Sequence, residues 1–166
     1  MTNTASVDRT QFLSFVLVGE EYAVDILRVK EIIEYDSLTR VPAMPPAVRG
    51  VINLRGRVVP VVDLALRFGL PQSTITPRTC IVMVEIGTGE GAIVMGIIAD
   101  AVSEVLDLTV DQIQPAPSFG TSVGAEFLDG MAETTGRKFV MLLNVERALS
   151  ASAFAAPDTV APAAAA

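Results

Sequence analysis

The sequence predicts an all-β chain, mainly strand with short helices, folded as two small packed β-barrels of about five strands each. Three observations carry that expectation. Half of the 166 residues are hydrophobic, yet aromatics are scarce and Trp is absent, so Val, Ile, Leu and Ala must build the interior, and the β-branched ones favour strands. Twelve Gly and ten Pro punctuate the chain, which suits short strands joined by turns better than a helical bundle. A pattern also recurs about 80 residues along. Gly50, Gly56 and Arg57 are matched by Gly130, Gly136 and Arg137, and each set precedes an apolar run that ends in Asp63 or Asn144. Such matching turn chemistry points to duplicated architecture.

The elements follow in order. Residues 1–10 are polar, lack the apolar stretch of a signal peptide and read as a disordered lead-in. Residues 12–17 make a strand, Gly19-Glu20-Glu21 turns the chain, and residues 22–26 return. Residues 27–34 read as strand with a helical turn over 25–28, because Val and Ile outweigh the helical spacing there. Pro42, Pro45 and Pro46 then break the chain. Residues 51–54 and 58–62 form a hairpin around Arg55-Gly56-Arg57, and Pro60, having no N–H, marks the return strand as an edge or a bulge. Asp63 is an N-cap for a short helix over 64–68, ended by Gly69 and Pro71. These elements make a first barrel subdomain over residues 11–77.

The second subdomain, residues 78–154, repeats the plan with strands at 81–86, 92–99 and 102–106, the repeated hairpin, and a helix from about Val145 to Ala151. The last stretch, residues 155–166, is Ala/Pro-rich and too poor in structure-forming residues to order itself.

Composition excludes several classes of function. The net charge of −7 opposes nucleic acid and anionic membrane surfaces, which need clustered Lys and Arg. Histidine is absent and Cys80 is the single cysteine, so no His-assisted nucleophile, intrachain disulfide or thiolate zinc site can form. Cys80 lies in a strand-like run and reads as an inert buried thiol. Residues 87–91 are glycine-rich, but a strand follows where a phosphate cradle needs a helix, and Glu90 would repel phosphate. No paired carboxylates suit acid–base work. Neither a catalytic residue, a metal site nor a cofactor is expected. No apolar stretch reaches the ~18 residues of a membrane span, so a cytoplasmic chain without membrane insertion is the reading.

Two features remain. Glu31 sits among Val29, Ile32 and Ile33, either facing outward or pairing with an arginine at a strand edge. Arg57 recurs as Arg137 and reads as turn charge. Arg55 faces Thr135 in the repeat and is the better candidate for recognition, because a guanidinium fork suits interfaces and carboxylate pairing.

The segments from Glu20 to Ile32, Arg40-Val41-Pro42, Arg49-Gly50-Val51-Ile52-Asn53-Leu54-Arg55-Gly56 and Val59-Pro60-Val61-Val62-Asp63-Leu64 together resemble the CheW family of bacterial chemotaxis coupling proteins. Gly96-Ile97-Ile98-Ala99-Asp100, Val102-Ser103-Glu104-Val105-Leu106 and Pro115-Ala116-Pro117 extend the likeness over roughly residues 11–150. The resemblance implies two five-stranded SH3-like barrels and a non-catalytic scaffold. Its partners would be the regulatory domain of a CheA-type histidine kinase and the cytoplasmic tip of methyl-accepting chemoreceptors, in membrane-associated arrays, with weak self-association in rings. An alternative is the coupler of a non-flagellar chemosensory pathway; a small β-barrel enzyme or ligand carrier is the rival from another class. Carried over by position, receptor docking falls on Val29, Glu31, Ile32, Gly50, Arg55, Gly56 and Val58. Kinase and ring contacts fall on Pro115, Pro117 and Phe119, with Gln114 standing where the family often has arginine. Arg55 is expected to pair with Glu31 in the free protein or with an acidic receptor residue in the complex.

Overall fold

The computed structural model describes residues 9–68, 70–71, 73–87, 91–115, 127–134 and 138–149. Among the described residues, eleven strands and two short helices run in the order β1 (Arg9–Leu17), β2 (Glu20–Asp25), β3 (Val29–Glu34), β4 (Val48–Leu54), β5 (Arg57–Val62), α1 (Leu64–Arg67), β6 (Cys80–Ile86), β7 (Ile93–Ala99), β8 (Ala101–Thr109), β9 (Ile113–Gln114), β10 (Leu128–Thr134), β11 (Lys138–Leu143) and α2 (Val145–Leu149). One sheet has the strand order β3-β6-β7-β5-β4 and the other β8-β1-β2-β11-β10-β9. The first strand begins at Arg9, which pairs with Thr109 and lies 3.4 Å from Asp107, so order reaches into the expected lead-in. The Ala/Pro tail lies outside the described residues.

The two sequence halves do not form separate sheets, and this corrects the division at residue 77. Hairpin β1–β2 belongs with β8–β11 from the second half, and hairpin β6–β7 belongs with β3–β5 from the first. Connection lengths explain the exchange. A hairpin needs at least about two loop residues, but Asp100 alone separates β7 from β8. The chain therefore leaves its sheet there, pinned by Asp100 N–H to the Val16 carbonyl at 2.8 Å and by Val18 N–H to Asp100 Oδ2 at 2.8 Å. The other crossing is the single 3-10 turn Ile26–Arg28, where Asp25 accepts the Leu27 N–H at 2.9 Å. The helical turn read from the sequence is this crossing.

Exchange also introduces one parallel seam per sheet, β5 with β7 and β11 with β2, where antiparallel pairing throughout was expected. Parallel neighbours need a crossover connection; α1 and β6 supply it between β5 and β7, and the run from β3 to β10 supplies it between β2 and β11. Strand β5 lies between β4 and β7 rather than at an edge. Pro60 is still tolerated, because pairing with β7 starts only at Val61, so no ladder bond is lost on that side.

Side-chain alternation places the core. Leu13, Phe15 and Leu17 of β1 and Val82, Val84 and Ile86 of β6 meet in one large cluster between the sheets, closed by Leu64 and Phe68 at α1 and by Val145, Ala148 and Leu149 of α2. The opposite faces fill the barrels, with Phe12, Ala23 and Leu142 in one and Ile81, Met83 and Ile98 in the other. Both exchanged hairpins are thus buried on two faces, which explains their near-continuous apolar runs. Tyr22 stacks between Phe15 and Phe68 with centroids 6.4 and 5.9 Å away. Its hydroxyl is buried without a hydrogen-bond partner among the described residues, and burial, with Glu20 nearby, pushes its pKa up to about 12.

The duplication is physical. Gly50 and Gly130 stand at φ 157° and 155°, each at a bulge. A Cβ would lie 2.7 Å from the Thr39 carbonyl at one and 2.6 Å from the Gln114 carbonyl at the other. Thr39 bridges Val51 as Gln114 pairs with Met131. Both helix caps were legible: Asp63 accepts the Ala65 N–H at 3.1 Å, and Asn144 accepts the Arg147 N–H at 3.0 Å. The return strands, however, are displaced by one residue from the apparent repeat. Leu54 pairs with Arg57, whereas Thr134 pairs with Lys138. Lys138 is therefore the counterpart of Arg57, and Arg137 lies outside the described residues.

Candidate docking site

The first barrel opens at one end because β5 joins β7 only at Val61 and Val62. Ahead of that seam β5 diverges, leaving a cleft of about 530 Å³ between the β4–β5 turn, β3 and the start of β7. Lys30, Glu31, Leu54, Arg55, Arg57, Val58, Pro60 and Ile93 are among the residues that line it. Val58 is 71% exposed, and Ile93 also stands in solvent. Single exposed apolar side chains are ordinary, but two facing one cleft beside a charged pair suit recognition.

The charged pair is the one expected. Arg55 Nη2 donates to Glu31 Oε1 at 2.7 Å, with the arginine side chain 71% and the carboxylate 27% exposed. The open choice for Glu31 is thereby resolved in favour of pairing. Strand β3 places Glu31 on the barrel side with Ile33, while Lys30, Ile32 and Glu34 are more exposed. Arg55 reaches it from a two-residue turn. Arg55 has φ 53° and Gly56 has φ 85°, the paired left-handed geometry that matches strand twist in tight hairpins. Asn53 Oδ1 accepts the Gly56 N–H at 2.8 Å. The left-handed region costs a side-chain-bearing residue about 1 kcal/mol or more, so an arginine there is an informative departure.

Lys30, Arg55 and Arg57 outnumber Glu31 around the cleft, a basic patch on a chain of net charge −7. Lys30 lies 3.7 Å from Glu85. Arg57, read from the sequence as turn charge, lines the same cleft and has no ion pair among the described residues. Sequence reasoning missed Lys30 and Ile93, which enter through strand pairing alone.

The remaining expected residues divide. Gly56 forms the turn tip and Ile32 lies exposed on β3, beside the cleft rather than in it. Val29 packs against the core between the sheets, and Gly50 is buried at its bulge, where it admits the Thr39 carbonyl. Pro115 is exposed just beyond β9, whereas Pro117 and Phe119 lie outside the described residues. Among the described residues no three His, Cys, Asp or Glu side chains gather as a metal site, and no helix is long and apolar enough to cross a membrane.

A second cation was not singled out from the sequence. Arg49 Nη1 donates to Asp63 Oδ2 at 2.9 Å, with side chains 14% and 0% exposed. Asp63 also accepts from the Ser73 N–H at 3.0 Å and the Ser73 hydroxyl at 2.9 Å. One carboxylate thus ties β4, the start of α1 and the connecting segment. Asp129 and Asn144 occupy the matching place in the second barrel, where the Asn144 amide donates to Asp129 Oδ1 at 2.8 Å.

Comparison with known proteins agrees with this architecture. The family model described as a CheW-like domain matches residues 11–153. Chemotaxis protein CheW of Klebsiella aerogenes is 39% identical over 151 residues, covering 91% of this chain and 88% of that protein. Protein FrzA of Myxococcus xanthus is 31% identical over 140 residues, covering 84% of each. The crystal structure of the scaffolding protein TtCheW from Thermoanaerobacter tengcongensis superposes with a TM-score of 0.77 at 32% identity, covering 87% of this chain and 90% of that one. With its two interleaved barrels and a family match over most of its length, the chain belongs to the CheW-like family.

Proposed function

We propose that this protein is a chemotaxis coupling scaffold that joins a CheA-type histidine kinase to chemoreceptors, and that the cleft beside Arg55 docks the receptor. The observation that carries the docking assignment is the 2.7 Å Arg55–Glu31 pair at the mouth of an open cleft rimmed by Val58 and Ile93. A largely exposed ion pair contributes little to folding, so its arginine is free to exchange Glu31 for an acidic group on the partner while the aliphatic rim supplies contact area. Gly56 lets the turn form, Ile32 flanks the contact, and Val29 and Gly50 hold β3 and β4 in place. The scaffold reading needs no catalytic group, and both barrel interiors are filled by aliphatic side chains, which argues against a ligand carrier.

The finer partner assignments are part of the same proposal. The kinase contact is its regulatory domain, and the segment containing Pro115, Pro117 and Phe119 serves the kinase and ring contacts, including weak self-association. The protein works in the cytoplasm at membrane-associated arrays, where multivalency compensates for modest individual affinities. A second reading, favoured by the likeness to FrzA, is the same coupling role in a separate chemosensory pathway.

Titration with a cytoplasmic fragment of each receptor, and with the kinase regulatory domain, tests the proposal. Folded protein that binds neither would refute it. Arg55→Ala should weaken receptor binding about tenfold, roughly the loss of one interfacial charge contact, with kinase binding unchanged. Arg57→Ala should stay within about twofold, because its guanidinium has no carboxylate to exchange.

A further inference from the structure

The turn that carries Arg55 has an unusual occupant. Tight two-residue hairpins of this hand are normally filled by Asn-Gly or Asp-Gly, because both central residues need positive φ. Here arginine holds φ 53° ahead of Gly56 at φ 85°. The exposed contact with Glu31 is too weak to impose that backbone by itself. What remains is Asn53, itself exposed on β4, whose Oδ1 captures the Gly56 N–H at 2.8 Å.

From these contacts we infer that Asn53 is the positioning residue for Arg55: by clamping Gly56 it holds the turn left-handed and so aims the guanidinium at Glu31 and the cleft mouth. The inference rests on the docking role proposed for that cleft. Local turn stability is sacrificed at residue 55 for a cation in a fixed direction, a pattern expected where strained backbone serves recognition. Asn53 is not among the residues that line the cleft; it acts through the backbone of the turn.

The test uses the full chain. Arg55→Asn, which restores the preferred turn residue, should raise the melting temperature by about 2 °C while weakening binding of the receptor cytoplasmic fragment about tenfold. Asn53→Ala should weaken that binding about fivefold, and Asn53→Asp, which keeps an acceptor in place, should remain within about twofold of wild type. In an Arg55→Ala background, Asn53→Ala should add less than about a twofold loss, because nothing remains to be aimed. Independently of any receptor, the NMR order parameter of the Arg55 side-chain Nε–H should fall in Asn53→Ala and recover in Asn53→Asp. Unchanged Arg55 order in Asn53→Ala, or losses that simply add in the double variant, would overturn the inference. Wild-type receptor binding by Arg55→Ala would instead overturn the docking role, and the order-parameter measurement would still decide the positioning.

Discussion

Arg49 within β4 and Arg55 just beyond its end each hold a carboxylate below 3 Å, yet their environments are opposite. Arg49 meets Asp63 where both are shielded, 14% and 0% exposed, and Asp63 has three further donors. Arg55 meets Glu31 at 71% and 27% exposure, and Glu31 has no other hydrogen bond among the described residues. Removing one partner of a buried pair strands an uncompensated charge, whereas an exposed pair is screened and close to neutral for stability. One arginine therefore belongs to the fold and the other is exposed to a partner's approach, although only six positions separate them in the sequence.

Mutations can break or sharpen that contrast. The largest effect is expected at Asp63: Asp63→Ala leaves Arg49 buried and unpaired and should cost about 3–5 kcal/mol in urea denaturation. A loss below about 1 kcal/mol would show that the two pairs differ less than their burial says. Gly50→Ala and Gly130→Ala come next, each driving a Cβ against a carbonyl at 2.7 or 2.6 Å, with about 1–3 kcal/mol lost to overpacking. Unequal losses would argue against the equivalence of the two bulges. Arg55→Ala should change stability by less than about 1 kcal/mol while losing receptor affinity, the reverse of Asp63→Ala.

The smallest effect concerns Tyr22. Its phenol has no hydrogen-bond partner among the described residues, so Tyr22→Phe should be neutral or slightly stabilising near pH 7. Its pKa is raised from 10.0 to about 12, so the folded chain keeps a proton that the unfolded chain loses. Stability is then intact below pH 10 and falls as pH rises towards 12. Alkaline denaturation should show that decline in wild type and less of it in Tyr22→Phe.

Much of this was legible in the letters. Gly50 and Gly130 announced the repeat because only glycine admits a carbonyl at that distance, and Asp63 and Asn144 announced the helix starts. The Arg55–Glu31 pair was readable as one of two alternatives, since a carboxylate inside an apolar strand needs either water or a cation. The hairpin exchange was not read, because alternation says which face is apolar and not which strand lies alongside. Strands read at 92–99 and 102–106 leave two residues between them, room enough for a hairpin, and only the start of β8 at Ala101 removes it. The one-residue slip between Arg57 and Lys138 was hidden because counting along the chain cannot see where a return strand starts to pair. Arg49 was missed because it follows the proline-rich break, and its shielding arises only when β4 and α1 are assembled.

The two crossings at Ile26–Arg28 and Asp100 have a mechanical meaning. One barrel is the uninterrupted run β3–β7, inserted between β2 and β8 of the other, so its two ends leave towards the same neighbour through links of three residues and one. With two such short tethers at its ends, the inserted barrel can neither swing far from its neighbour nor turn freely against it.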